Sequence, residues 1–71
     1  MNQVNPKKLL DSKWTAVTPV NREKHFVVTR TWWEKPGKLG QIELEAVLTG
    51  TRRRIDWREL KDSARWRIGW Q

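Results

Sequence analysis

The chain has no cysteine and no tyrosine, one histidine and one phenylalanine. Without cysteine there is no disulfide to staple the fold and no thiolate zinc site. A single histidine, His25, set at the start of a strand-like run, has no visible partner for acid–base chemistry. Ser12 and Ser63 sit in turn-like contexts with no base and orienting acid in view. There is no glycine-rich phosphate loop and no cluster of metal ligands. These absences point away from an enzyme and imply no cofactor. No apolar stretch is long enough to span a bilayer. The opening residues "MNQVNPKKLLDSKW" show neither a secretory h-region nor a lipidation signal, so the expected setting is the cytoplasm, away from membranes.

What the chain has instead is tryptophan and positive charge. Six tryptophans occupy positions 14, 32, 33, 57, 66 and 70 of 71 residues. A domain this short buries only about 60% of the surface its unfolded chain exposes. Each tryptophan can bury roughly 150–250 Å², so most of them are expected in the core. Fifteen basic residues against eight acidic ones give a net charge of +7. That excess suits a polyanionic partner, nucleic acid or an acidic protein surface, and it also suits a solvated surface that keeps a small monomer soluble.

The pattern along the chain is that of one β domain over residues 5–71, preceded by a loose end at 1–4. Asn5-Pro6 reads as an N-cap and first helical residue, followed by one helical turn to Leu10. Lys13 to Thr18 reads as a strand ended by Pro19. "HFVVTRTWW" is dense in β-branched and aromatic residues, and "QIELEAVLT" alternates apolar and polar. Pro36-Gly37 and Gly50 supply the turns, and "RRRIDW" returns as a fourth strand. Asp56 and Glu59 have the spacing of a variant capping box, so a helical turn is expected from Trp57. "SARWRIGWQ" reads as irregular or as another short turn, closed by Gly69. The expected fold is mainly β: a four-stranded antiparallel meander with a short helical turn at each end. The pattern leaves open whether it stays an open sheet or curls into a small SH3-like barrel.

A two-residue hairpin at Thr49-Gly50 would pair Glu45 with Arg54, Leu44 with Ile55 and Ile42 with Trp57. The preceding strand must then choose a face. With its even residues inside, Arg30 would be buried beside Leu44, at high cost. With its odd residues inside, Arg30, Glu45 and Arg54 form a row across three strands. This choice sends Trp33 to the core and Trp32 to the outer face. It also leaves Phe26, Val28, Val47 and Trp32 on that outer face, joined by Val17 if Thr18 pairs with His25. Such an apolar patch needs a cover. The chain's own ends can supply it (Leu9, Leu10, Leu60, Trp66, Trp70), or a partner can.

The run Arg52-Arg53-Arg54, continued by Arg58, Lys61, Arg65 and Arg67, is a candidate phosphate strip. Its plain alternative is an edge strand protected by charge. Arginine forks hold phosphate and indole faces stack on unpaired bases, so Arg30, Trp32, Arg52, Arg54, Arg58 and Lys61 are the expected contacts with RNA or single strands. The competing expectation is a protein-interaction module, an accessory subunit that docks through the apolar outer face.

Taken together, "NPKKLLDSKWTAVTP", "KHFVVT", "ELEAVLT" and "IDWRELKDSARWRIGW" resemble a family of small bacterial tryptophan-rich proteins of unknown function. The resemblance runs from Asn5 to Trp70, with "TWWEKPGKLGQ" its least typical segment. It implies a small single domain and brings no activity or site with it.

Overall fold

The computed structural model describes all 71 residues, Met1–Gln71. Five strands form one open antiparallel sheet: β1 (Lys13–Val20), β2 (Glu23–Lys35), β3 (Lys38–Ala46), β4 (Arg52–Asp56) and β5 (Trp66–Ile68). Their spatial order is β4-β3-β2-β1-β5. The first four strands are the expected meander. The fifth lies in the segment read as irregular, where three residues are too few for a period to show. Because β5 pairs with β1 and not with β4, the sheet has two free edges and does not close into a barrel.

The hairpins follow local chemistry. Asn21 and Arg22 both take positive φ, 56° and 64°, between Val20 and Glu23. Two left-handed residues in a two-residue loop match the twist of the strands they join. Pro36-Gly37 makes the next two-residue loop, with Gly37 at φ 82°. The third loop is longer than the expected pair. It runs from Val47 to Thr51 and is closed by bonds from Gly50 N–H to Ala46 O and from Ala46 N–H to Thr51 O, both 2.8 Å. Leu48 is exposed in it, although it reads as a strand residue. The β3–β4 register is accordingly Glu45 with Arg52, Glu43 with Arg54 and Ile42 with Ile55. That is two residues from the expected pairing, so every side chain keeps its face.

β1 also runs past Pro19. Between the Thr15–His25 and Val20–Glu23 pairs, residues 16–19 bow out opposite Lys24 alone. Proline is tolerated there because the ladder is already interrupted. His25 therefore pairs with Thr15, not Thr18.

One bulge resolves the conflict in β2. Val28 pairs with Leu44 and Arg30 with Glu43, leaving Thr29 as an extra residue. Before the bulge the even residues point inward, and Phe26 and Val28 are fully buried. After it the odd residues do, with Thr31 opposite Ile42 and Trp33 opposite Leu39. The expectation of Phe26 and Val28 on the outer face is thus overturned, while Arg30 stays outside. The charged row exists as Arg30–Glu43–Arg54, with Glu43 in the place expected for Glu45.

The core lies on one side of the sheet. Trp14, Phe26, Val28, Leu39, Ile42, Leu44, Ala46 and Trp66 supply the sheet's part, and Leu9 and Leu60 cover it. The geometry of the crossover explains the cover. To reach the far side of β1, the chain after β4 must cross the sheet, and the 3-10 turn Trp57–Lys61 lies on that path with Leu60 inward. Asp56 caps this turn, accepting from Arg58 N–H at 2.9 Å. Asn5 caps the matching turn Pro6–Lys8, which leads into Leu9. The opening residues, read from the sequence as a loose end, are bonded to the crossover: Asn2 N–H donates to Lys61 O, and its Nδ2 donates to Leu60 O and Trp66 O. The molecule is thin, 35 × 25 × 15 Å. None of its helical turns is long and apolar enough to cross a membrane.

Candidate nucleic-acid interface

The register lays out the outer face as a grid. Alternation puts Lys13, Val27, Glu45 and Arg52 in one row, Arg30, Glu43 and Arg54 in the next, and Trp32, Gln41 and Asp56 in a third. Arg67, Thr15 and His25 form a row on the other side.

Trp32 is half-buried, with two cations at its ring. The Arg54 guanidinium carbon lies 4.0 Å from the indole centroid and that of Arg30 lies 5.2 Å away. Both distances are within the range of cation–π attraction. Arg54 is further held by Nε, which donates to Gln41 Oε1. Arg52 is held the same way, with Nε donating to Glu45 Oε1 at 2.8 Å. That bond raises the pKa of Arg52 above its ordinary value. In both arginines the anchoring bond uses Nε, and the terminal amino groups of the fork make no hydrogen bond within the chain. Glu43 is engaged by the bulge residue, accepting from Thr29 Oγ1 at 2.8 Å.

Four of the six sequence-derived candidates therefore meet on one face: Arg30, Trp32, Arg52 and Arg54. Arg58 and Lys61 stand apart, on the 3-10 turn. Arg58 is committed to Asp56 through Nε at 3.0 Å and Nη2 at 2.8 Å. These bonds hold the Asp56 carboxyl at about 2, below its ordinary 3.8, and raise Arg58 in turn. Lys61 lies 4.7 Å over the ring of Trp57, whose indole packs on the core. Arg53 points to the core side, 5.0 Å over the Phe26 ring and 4.0 Å from the buried Glu23. Thr49 and Thr51 hold the Glu23 carboxyl below its usual range, with Arg53 adding to the effect.

The expected core residue Trp33 takes the core-side direction but is 41% exposed, at the end of the cluster beside its buried cross-strand partner Leu39. The sequence reading placed Trp70 only as cover, and the structure gives it more. The closing residues fold over the outer face: Thr15 Oγ1 donates to Gly69 O at 2.6 Å and accepts from Gln71 N–H at 3.0 Å. Trp70 Nε1 donates to Phe26 O at 3.0 Å. Its ring lies 4.8 Å from Lys13 Nζ and 5.8 Å from the His25 ring, and the residue remains 44% exposed. The sign in the sequence is an indole three residues after a basic strand residue, Arg67-Ile68-Gly69-Trp70, where a loose tail has no use for a large apolar group. The outer face thus carries two partly open indoles, Trp32 and Trp70, each beside cations.

No curated protein and no solved structure matches the chain. A family model described as a tryptophan-rich protein, DUF2389, matches residues 12–71. That span takes in all five strands, both open indoles and the arginines around Trp32, and the chain belongs to this tryptophan-rich family.

Proposed function

We propose that the protein is a monomeric, non-catalytic binding module that holds nucleic acid, RNA or a single strand, on the outer face of the sheet. The observation that supports this reading best is Trp32 with the Arg30 and Arg54 guanidiniums at its ring, and the terminal amino groups of Arg52 and Arg54 left without a hydrogen bond in the chain. An indole face takes an unstacked base, and guanidinium forks take the phosphates on either side. Trp70, with Lys13 beside it, offers a second platform on the same face. The alternative of a protein docked on an apolar outer face loses its main residues, since Phe26 and Val28 are buried in the core.

The test is a tryptophan-fluorescence titration with a short oligonucleotide at two salt concentrations. Three phosphate contacts imply a slope of about −2 in log K against log salt for a single strand. Raising salt from about 50 to 200 mM should then weaken binding roughly twenty-fold. Trp32→Ala should cost about 1–3 kcal/mol of binding, the worth of one stacked base. No binding at low salt, or binding indifferent to salt, would overturn the proposal.

A further inference from the structure

β4 is a free edge. It pairs with β3 on one side and with nothing on the other. The loop bond from Ala46 N–H to Thr51 O fixes the phase of the ladder. Leu44–Arg53 and Ile42–Ile55 are then the bonded pairs, and the main-chain N–H and C=O of Arg52 and Arg54 point away from β3. No hydrogen bond outside the ladder uses these two N–H groups. The strand therefore presents two donors and two acceptors in register, at alternate residues. The side chains of the same two residues lie on the outer face, and both forks are held by Nε with their terminal amino groups free to bond.

From this arrangement we propose that the β4 edge is a docking site for an extended acidic peptide segment, added antiparallel as a sixth strand. Two residues of the incoming strand stand directly opposite Arg52 and Arg54. Each exchanges a pair of main-chain bonds with its neighbour, and each sends its side chain to the outer face beside a guanidinium. Carboxylates at those alternate positions meet the free ends of the forks. The residue between them needs no charge, because it faces Arg53 on the core side, which is already engaged with Glu23 and Phe26. A second copy of the chain is a poor occupant. Antiparallel pairing of β4 with itself sets arginine against arginine, a like-charge contact that natural edges use to prevent association. The other edge, β5, has only three residues and offers a shorter ladder. The inference does not rest on nucleic-acid binding. It places an acidic strand where phosphates are proposed to lie, so the two ligands compete.

The experiment is an amide NMR titration of the whole chain, without nucleic acid, using a capped peptide of roughly six residues that alternates glutamate and threonine. Saturable binding should slow hydrogen exchange at the Arg52 and Arg54 amides and leave Arg53 and Ile55 as they were. A peptide with glutamine for glutamate should bind roughly tenfold more weakly. A peptide N-methylated at the two central glutamates should not bind at all, since it cannot form the ladder; this control leaves the protein unaltered. Three outcomes overturn the proposal: unchanged exchange at Arg52 and Arg54, equal binding of the glutamine peptide, or undiminished binding of the N-methylated one.

Discussion

Arg54 and Arg58 differ in what their guanidinium nitrogens meet, and that decides how much charge each leaves open. Arg54 lies against Trp32 and spends Nε on the neutral Gln41, so its charge is not cancelled. Arg58 spends two nitrogens on Asp56, and the pair is close to neutral as a unit. The same pair ties stability to pH. The folded pKa of Asp56 is depressed to about 2. Its contribution is therefore fully present above the ordinary value of 3.8 and is lost as pH falls through about 2. Asp56→Asn keeps an oxygen to cap Arg58 N–H but removes the charge. The melting temperature of the parent should fall faster than that of the variant between 3.8 and about 2, so that the gap between them closes on acidification. Identical slopes in thermal melts across that window would show that the pair adds nothing. Glu23, also depressed, contributes to the acid sensitivity of both proteins alike.

At the scale of elements, the Thr29 bulge decides what the sheet shows to solvent. It lets one strand bury Phe26 and Val28 and still expose Arg30 and Trp32. Deleting Thr29 should leave both faces intact, because Arg30 then follows Val28 in plain alternation. Deleting Thr31 should turn Trp32 toward the core opposite Ile42 and Trp33 outward, reversing the strand's second half. In urea denaturation the Thr29 deletion should keep a cooperative transition, and the Thr31 deletion should lose most of its stability. Equal losses would count against the bulge as the organising feature.

The bulge also marks how far periodicity could be read. Alternation in "QIELEA" placed residues 41–46 of β3 correctly but missed its start, Lys38–Gly40 with the core residue Leu39, beside the Pro36-Gly37 turn; the cost of burying Arg30 rightly kept it outside. No pattern of alternation contains an extra residue, so a reader who assumes an unbroken strand must send Phe26 and Val28 out to save Arg30. The β3–β4 turn failed differently: Val47 and Leu48 look like strand residues, but the loop bonds at Ala46 end the strand before them. The even shift that resulted was harmless to the faces. Charge, aromatic character and the row expected through Arg30 brought Arg30, Trp32, Arg52 and Arg54 to one face, whereas for Trp70 the sequence suggested only a cover, and its contacts are set by long-range hydrogen bonds to Thr15 and Phe26.

At the scale of the whole molecule, a thin sheet with one covered side depends on what holds the cover in place. Leu60 is fully buried under it, and Leu60→Ala should cost about 2–5 kcal/mol, a large part of the stability of a domain this small. Asn2 ties the start of the chain to the crossover and to the first residue of β5. Asn2 Nδ2 donates to Leu60 O at 2.9 Å and to Trp66 O at 2.7 Å, and its main-chain N–H donates to Lys61 O at 2.9 Å. Two carbonyls facing one amide nitrogen fix its orientation, since the amide oxygen would be repelled there. Asn2→Ala removes two donors and leaves two carbonyls short of partners, a loss of about 1–2 kcal/mol given their partial access to water. Asn2→Asp does more, because it places a carboxylate against both carbonyls. Chemical denaturation at neutral pH should rank the aspartate variant below the alanine variant. Acidification below the ordinary aspartate range should narrow that gap, because a protonated carboxyl can donate to one of the carbonyls. A neutral-pH ranking with alanine as the worse substitution would mean that the Asn2 amide does not hold the start of the chain to the crossover.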